Sequence, residues 1–226
     1  MKAMILAAGR GKRMMPLTAE QPKPMLTVQE KPLIVYHLER LRAAGITEVI
    51  INLAWCGEKI QHYCGDGSQW GLTIHYSQEV AEGLETAGGI IQALPLLGDA
   101  PFLVINGDIF TDYDVSSLTQ LQLDDGHAHL VLVENPSHHP QGDFAFAQGH
   151  LVANSEPRFT FAGIALYHPT FFAGLPVDFR PLAPLLRAKM AEHKVHGERY
   201  LGVWVDVGTP ERLAELNIIQ GQRNVG

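Results

Sequence analysis

The fold of this chain is most constrained by a repeating order: a short apolar run, a stop at small or polar residues, then a segment with helical spacing. Met4-Ile5-Leu6 stops at Ala7-Ala8-Gly9, Val49 to Asn52 forms a second such run, and Phe102 to Ile105 stops at Asn106-Gly107-Asp108. Between the first two, Lys31-Pro32 opens a helical pattern with Leu33, Ile34, His37, Leu38 and Leu41 near one face, and Gly45 closes it. Proline suits a first helical turn and glycine a helix end. Further along, the spacing predicts a short helix over Glu58 to Tyr63, an alternating strand over Leu72 to Tyr76, and a glycine-rich turn from Gly83 to Gly89. A helix over Ile90 to Leu97, another over Val115 to Leu121 and a strand over His129 to Glu134 complete the first half. Strands that are apolar on both faces and alternate with helices predict an α/β chain with a parallel sheet covered on both sides. Ligands of such sheets collect at the carboxyl ends of the strands.

The second half is less regular. Phe144 to Phe146 and Leu151 to Ala153 flank Gln148-Gly149 as a hairpin, Phe159 to Tyr167 reads as a strand, Arg180 to Glu192 as a helix, and Tyr200 to Val205 as a last strand. Thr209-Pro210-Glu211 has the character of an N-cap and first turn. With no linker, repeat or low-complexity stretch, 1–226 is expected to be one domain, long enough for a sizeable core. The 17 Lys and Arg against 24 Asp and Glu give 17 − 24 = −7, which argues against a nucleic-acid partner. No apolar run approaches 18 residues and no signal peptide is seen, so neither a membrane partner nor export is expected, and the cytoplasm is the expected compartment. Cys56 and Cys64 have neither redox nor zinc spacing and read as inert thiols. His138-His139 reads as a polar loop, Trp70 and Trp204 as core, and Trp55 either as core or as a flank of a ligand.

A basic loop within an acidic chain points to a small anionic ligand. After Met4-Ile5-Leu6, small residues and glycine allow backbone N–H groups to approach an anion closely. Arg10, Lys12 and Arg13 follow at once, and Lys23 is fixed between Pro22 and Pro24. A positioned lysine and an arginine fork beside such a cradle suit a polyphosphate. The loop is not a dinucleotide fingerprint, because the third glycine is Met14, and not a Walker loop, because Leu6 and Arg13 occupy its required positions. Asp108 and Asp206 each follow an apolar strand. Converging, they would hold Mg²⁺, a hard cation that takes oxygen ligands; separately, each suits a turn or a helix cap. Asp112 and Asp114 lie nearer the surface, Asp114 as a helix cap.

The pattern G-x-G-x-R-M-x-P-L-T from Gly9 to Thr18, followed by P-K-P at Pro22 to Pro24, resembles the signature of the sugar-1-phosphate nucleotidylyltransferases. L-E-T-A-G-G, N-G-D, F-A-G-I and the closing W-V-D-V-G-T extend the resemblance over most of the chain. It implies an α/β fold, a Rossmann-like three-layer α/β/α sandwich with a mostly parallel mixed sheet. It implies that Ala7, Ala8, Gly9 and Gly11 line the nucleotide, that Arg13 and Lys23 contact its phosphates, and that Lys12 either adds charge there or faces solvent. Gln78 and Gly83 would read the base. Glu85 and Thr86 would lie near the sugar and its phosphate, while Asn106, Asp143 and Gly163 face the sugar. Asp108 and Asp206 would hold Mg²⁺, with Arg13, Lys23 and Asp108 carrying the catalysis.

Within the family, N-x-A-W at Trp55, N-G-D-I-F-T-D-Y-D and N-P-x-H-H-x-x-G-D-F are similar to the short bacterial N-acetylmuramate α-1-phosphate uridylyltransferases of cell-wall recycling. The sugar-facing E-K-P segment of many relatives is matched only by Glu156-Pro157-Arg158. The implied reaction takes UTP and a sugar 1-phosphate to a UDP-sugar and pyrophosphate. Guanylyl, cytidylyl or thymidylyl transfer, phosphocholine as acceptor, and a non-catalytic nucleotide-sugar sensor are the other readings.

Overall fold

The structure is a computed structural model that describes residues 1–223. The first half contains strands β1 (Ala3–Leu6), β2 (Thr27–Val28), β3 (Lys31–Pro32), β4 (Glu48–Leu53), β5 (Thr73–Gln78), β6 (Phe102–Asn106), β7 (Ile109–Thr111) and β8 (Ala128–Val133). Helices α1 (Leu33–Ala43), α2 (Gly57–Cys64), α3 (Glu85–Leu97) and α4 (Ser116–Thr119) alternate with them. Then come the hairpin strands β9 (Phe144–Ala147) and β10 (His150–Val152), the long β11 (Arg158–Tyr167), α5 (Leu182–Ala191), β12 (Val195–Tyr200), β13 (Trp204–Asp206) and α6 (Pro210–Arg223).

The main sheet runs β5-β4-β1-β6-β11-β8-β12, with the β9–β10 hairpin on the early part of β11. β5, β4, β1 and β6 are mutually parallel. β11 is antiparallel to both β6 and β8, and β12 is parallel to β8, so β8 and β12 run with the first four. This is the mostly parallel mixed sheet that the resemblance implies. Successive strand residues face opposite sides of a sheet, and the core divides accordingly. Ala3 and Ile5 of β1 pack with Ile34, Leu38, Leu41 and Ile60 of α1 and α2, whereas Met4 packs with Ile90, Ile91, Leu186 and Met190 of α3 and α5. A third cluster joins Met14, Leu26, Val28, Leu33, Phe110 and Val207 to Leu213 and Leu216 of α6. Met14, fully buried there, anchors the basic loop; emptying such a site costs about 2–5 kcal/mol.

Three elements differ from the sequence reading. The expected turn Gly83 to Gly89 is mostly helix, since α3 begins at Glu85. The expected strand over Tyr200 to Val205 is divided between the end of β12 and the start of β13, and most of β12 lies before it. The helix expected over Val115 to Leu121 is a single turn, α4.

The register places the site. Leu6, at the end of β1, is level with Asn52 of β4 on one side and Asn106 of β6 on the other. Past that level β1 and β6 give way to loops at the carboxyl ends of the parallel strands, and the β4–β5 pair runs on only to Leu53 and Gln78.

Candidate active site

These loops enclose a cleft of about 470 Å³. One part is the basic loop after β1. Gly11 has φ +62°, a left-handed conformation that glycine adopts without strain, and a Cβ there would press on Thr18 at 3.1 Å. Among the described residues, the backbone N–H groups of Ala8, Gly9, Arg10 and Gly11 have no protein acceptor, which leaves them for an anion. The loop is braced from outside. The Thr18 hydroxyl donates to the Gly11 carbonyl at 2.8 Å, Trp55 Nε1 donates to the Thr18 carbonyl at 3.2 Å, and the Arg10 guanidinium lies over the Trp55 ring at 4.5 Å.

The neighbouring wall comes from β4, β5 and α3. Ala7 N donates to Asn52 Oδ1 at 2.7 Å, Asn52 Nδ2 donates to Glu79 Oε1 at 2.6 Å, and Leu84 N donates to Glu79 Oε2 at 2.8 Å. Burial raises the Glu79 pKa, opposed by the bonds from Asn52 and Leu84. Glu85 has φ +61°, a strained conformation for a side-chain-bearing residue, and it lies in the cleft with Thr86. The glycines of this motif serve packing. A Cβ on Gly88 would collide with the Asp178 carbonyl, and one on Gly89 would meet Glu79 and lie 3.0 Å from Asn52 Nδ2. Ala87 N and Gly88 N donate to the Arg180 carbonyl at 3.0 and 3.2 Å, which fixes the 178–180 segment and sets Phe179, largely exposed, at the mouth.

The opposite wall carries Asp108, with Asp206 next to it outside the lining. β7 pairs with β13 so that Asp206 is level with Ile109, and Val207 N donates to the Asp108 carbonyl at 2.9 Å. Asp108 and Asp206 are therefore brought together from positions 98 residues apart (206 − 108 = 98). Lys23 Nζ, nearly buried, is ion-paired to Asp108 Oδ2. Arg212 Nη1 lies 2.6 Å from both oxygens of Asp206, and His138 Nε2 is 2.9 Å from Asp206 Oδ1. Asp108 and Asp206 offer oxygen donors only, the chemistry that a hard divalent cation takes. Gly163 sits at a register shift in β11 with φ +74°, its Cβ position only 2.5 Å from Asn106 Nδ2; it supports Asn106. Asp143 accepts from Phe161 N at 2.8 Å and pairs with His139 at 3.1 Å.

Of the residues singled out in the sequence, Ala7, Ala8, Gly9, Gly11, Lys12, Arg13, Lys23, Gly83, Glu85, Thr86, Asn106 and Asp108 line the cleft. Gln78, Asp143, Gly163 and Asp206 do not. Gln78 Nε2 instead donates to the carbonyls of Leu53 and Glu79 at 3.3 and 3.2 Å, and strand alternation gives its place in the cleft to Glu79. Asn52, Glu79, Phe179 and Gly208 also line the cleft and were not singled out. Asn52 could have been found, as a polar residue closing the apolar run of β4; Glu79 carries no local signal. Trp55 braces the basic loop, and Trp204 donates to the Ala162 carbonyl at 2.8 Å against the core.

The family model described as nucleotidyl transferase matches residues 2–148. An N-acetylmuramate α-1-phosphate uridylyltransferase from Neisseria meningitidis serogroup B is 50% identical, over 98% of this chain and 99% of that one. One of the same description from Caulobacter vibrioides is 31% identical, over 92% of each. A mannose-1-phosphate guanyltransferase from Hypocrea jecorina is 30% identical over 93% of this chain and 62% of its own length. Among solved structures, a Bacillus anthracis protein assigned as a glucose-1-phosphate thymidylyltransferase superposes with a TM-score of 0.82 over 96% of this chain and 94% of that one. At 19% identity, that likeness speaks for the fold alone.

Proposed function

The chain belongs to the nucleotidyl transferase family, and on that premise we propose that it transfers a uridylyl group from UTP to N-acetylmuramate α-1-phosphate, giving a UDP-sugar and pyrophosphate. The observation that carries this reading is the 50% identity, from end to end, with the Neisseria meningitidis uridylyltransferase. The reaction belongs to peptidoglycan recycling and is placed in the cytoplasm.

The cleft suits the chemistry. An oxygen of the sugar phosphate forms a bond to the α-phosphorus of UTP as the bond to the bridging oxygen breaks, and pyrophosphate leaves with the electron pair. The nucleophile is already an anion near neutral pH, so no general base is needed. The barrier lies in bringing polyanions together and in the charge on the leaving group, so positioning and electrostatics dominate. The free N–H groups of Ala8 to Gly11 and the side chains of Arg13 and Lys23 face the polyphosphate, and Lys12 adds charge at the rim. Gly83 and Leu84 lie beside the base, and Glu85 and Thr86 near the sugar and its phosphate, while Asn106 faces the sugar. Asp108 and Asp206 are the pair that would hold Mg²⁺, which when bound would neutralise phosphate charge.

The test is pyrophosphate release by the purified chain with Mg²⁺, crossing UTP, CTP, GTP and dTTP with a panel of sugar 1-phosphates. Release confined to UTP with N-acetylmuramate α-1-phosphate is expected. Turnover of a different pair would keep the chemistry and discard the recycling role. Binding without turnover of any pair would make the chain a sensor.

A further inference from the structure

The two walls of the cleft differ in their cations. Arg10, Lys12, Arg13 and Lys23 belong to the loop after β1. Across the cleft, beyond the β7–β13 pair, stand Arg212 of α6 and His138 of the loop after β8. His138 Nε2 lies 2.6 Å from Arg212 Nη1, and both groups contact Asp206. Arg212 is largely buried, with 15% of its side chain exposed. Only one arm of its fork is used: Nη1 holds Asp206, whereas Nη2 has no hydrogen-bond partner among the described residues. Nη2 also covers Gly208 so closely that a Cβ there would collide with it, and Gly208 lines the cleft. The guanidinium is thus clamped in orientation by one nitrogen, and the other lies directly behind Gly208, a residue of the cleft lining.

N-acetylmuramate differs from N-acetylglucosamine by an ether-linked lactyl group that ends in a carboxylate. An acidic wall would repel that group unless a cation met it. We propose that Arg212, oriented by Asp206 and flanked by His138, receives the carboxylate of the acceptor sugar and so sets the choice between carboxylated and neutral sugar 1-phosphates. The inference rests on the sugar assigned above. Arg212 is fixed in place before the ligand arrives, which limits the entropy lost on binding. Lys23 stands at the other acid, Asp108, the end of the cleft assigned above to the phosphates.

The test compares two acceptors that share ring and phosphate. KM and kcat are measured for N-acetylmuramate α-1-phosphate and N-acetylglucosamine α-1-phosphate at saturating UTP, for the wild type, Arg212→Gln and His138→Ala. A lost charge-assisted bond corresponds to about a ten- to hundredfold fall in the preference for the muramate over the glucosamine in Arg212→Gln, read as the ratio of their KM values, beyond any loss that both sugars share through Asp206. His138→Ala, on an exposed loop, is expected to shift the same preference by about threefold to tenfold, and it carries the test if Arg212→Gln does not fold. Equal losses with both sugars would overturn the inference, leaving Arg212 as a support for Asp206. An unchanged preference in both variants would overturn it as well. A wild type that does not prefer the muramate would instead remove the function proposed above, a separate outcome read from the first column of the same experiment.

Discussion

Asn52, in β4, and Glu79, the first residue past the neighbouring parallel β5, join the two loops of the nucleotide side: Asn52 accepts from Ala7 N, and Glu79 accepts from both Asn52 Nδ2 and Leu84 N. Both Glu79 oxygens face donors. In Glu79→Gln one oxygen becomes an NH₂ group that must face Asn52 Nδ2 or Leu84 N. A buried donor without an acceptor costs about 1–3 kcal/mol. Urea unfolding should show a loss of that size, and the KM for UTP should rise because Ala7 and Leu84 lose their common brace. A variant as stable as the wild type would show that the bond from Asn52 or from Leu84 is dispensable.

Lys23 and Asp108 should be needed for turnover. Lys23→Ala and Asp108→Asn each remove one charged contact at the reacting phosphates, worth on the order of 3 kcal/mol or about a hundredfold in rate. Pyrophosphate release measures this, with circular dichroism to establish folding. Near-normal turnover in a folded variant would contradict the assigned roles.

Gly88 is expected to tolerate no side chain. It is helical, where alanine is favoured by about 1 kcal/mol, yet a Cβ would strike the backbone carbonyl of Asp178. Gly88→Ala should therefore destabilise by about 1–3 kcal/mol net, and it should displace Phe179 at the mouth. Limited proteolysis near 178–180 would register the displacement; equal cleavage rates in the two proteins would argue against it.

His37 gives the fold an acid-sensitive limb. It is fully buried in α1, and burial together with the nearby Arg40 pushes its pKa from 6.5 down to about 3. The folded pKa is the lower one, so between about pH 6.5 and 3 the unfolded chain binds the extra proton. This contribution to stability is whole above pH 6.5 and declines as pH falls, by at most about 1.4 kcal/mol per unit. His37→Leu should flatten the dependence of the urea midpoint on pH across that window. Parallel curves for the two proteins would assign the acid limb elsewhere.

What the sequence disclosed follows from where each signal resides. β1, β4 and β6 are buried on both faces, so their apolar runs are continuous and their ends are sharp. The basic loop was legible because its cations and glycines are neighbours in the chain. β12 was missed because it lies at the sheet edge and, among the described residues, pairs only with β8, so Val195-His-Gly-Glu-Arg-Tyr200 carries polar residues where a central strand could not. Gly88 and Gly89 were read as turn residues, whereas their smallness admits other backbone and side chains. The Asn52–Glu79 bond and the Arg212–His138 contact join residues 27 and 74 positions apart, and no local pattern announces them.

Each carboxylate of the acidic wall has its own internal counter-ion, Lys23 for Asp108 and Arg212 for Asp206. Each acid is thus neutralised from within the chain before any ligand arrives. Without these pairs two acids on neighbouring stretches of backbone would be left uncompensated. With them, folding and loading are uncoupled. The amount of folded protein is therefore set by the chain's own charge balance, whatever the cell's supply of divalent ions.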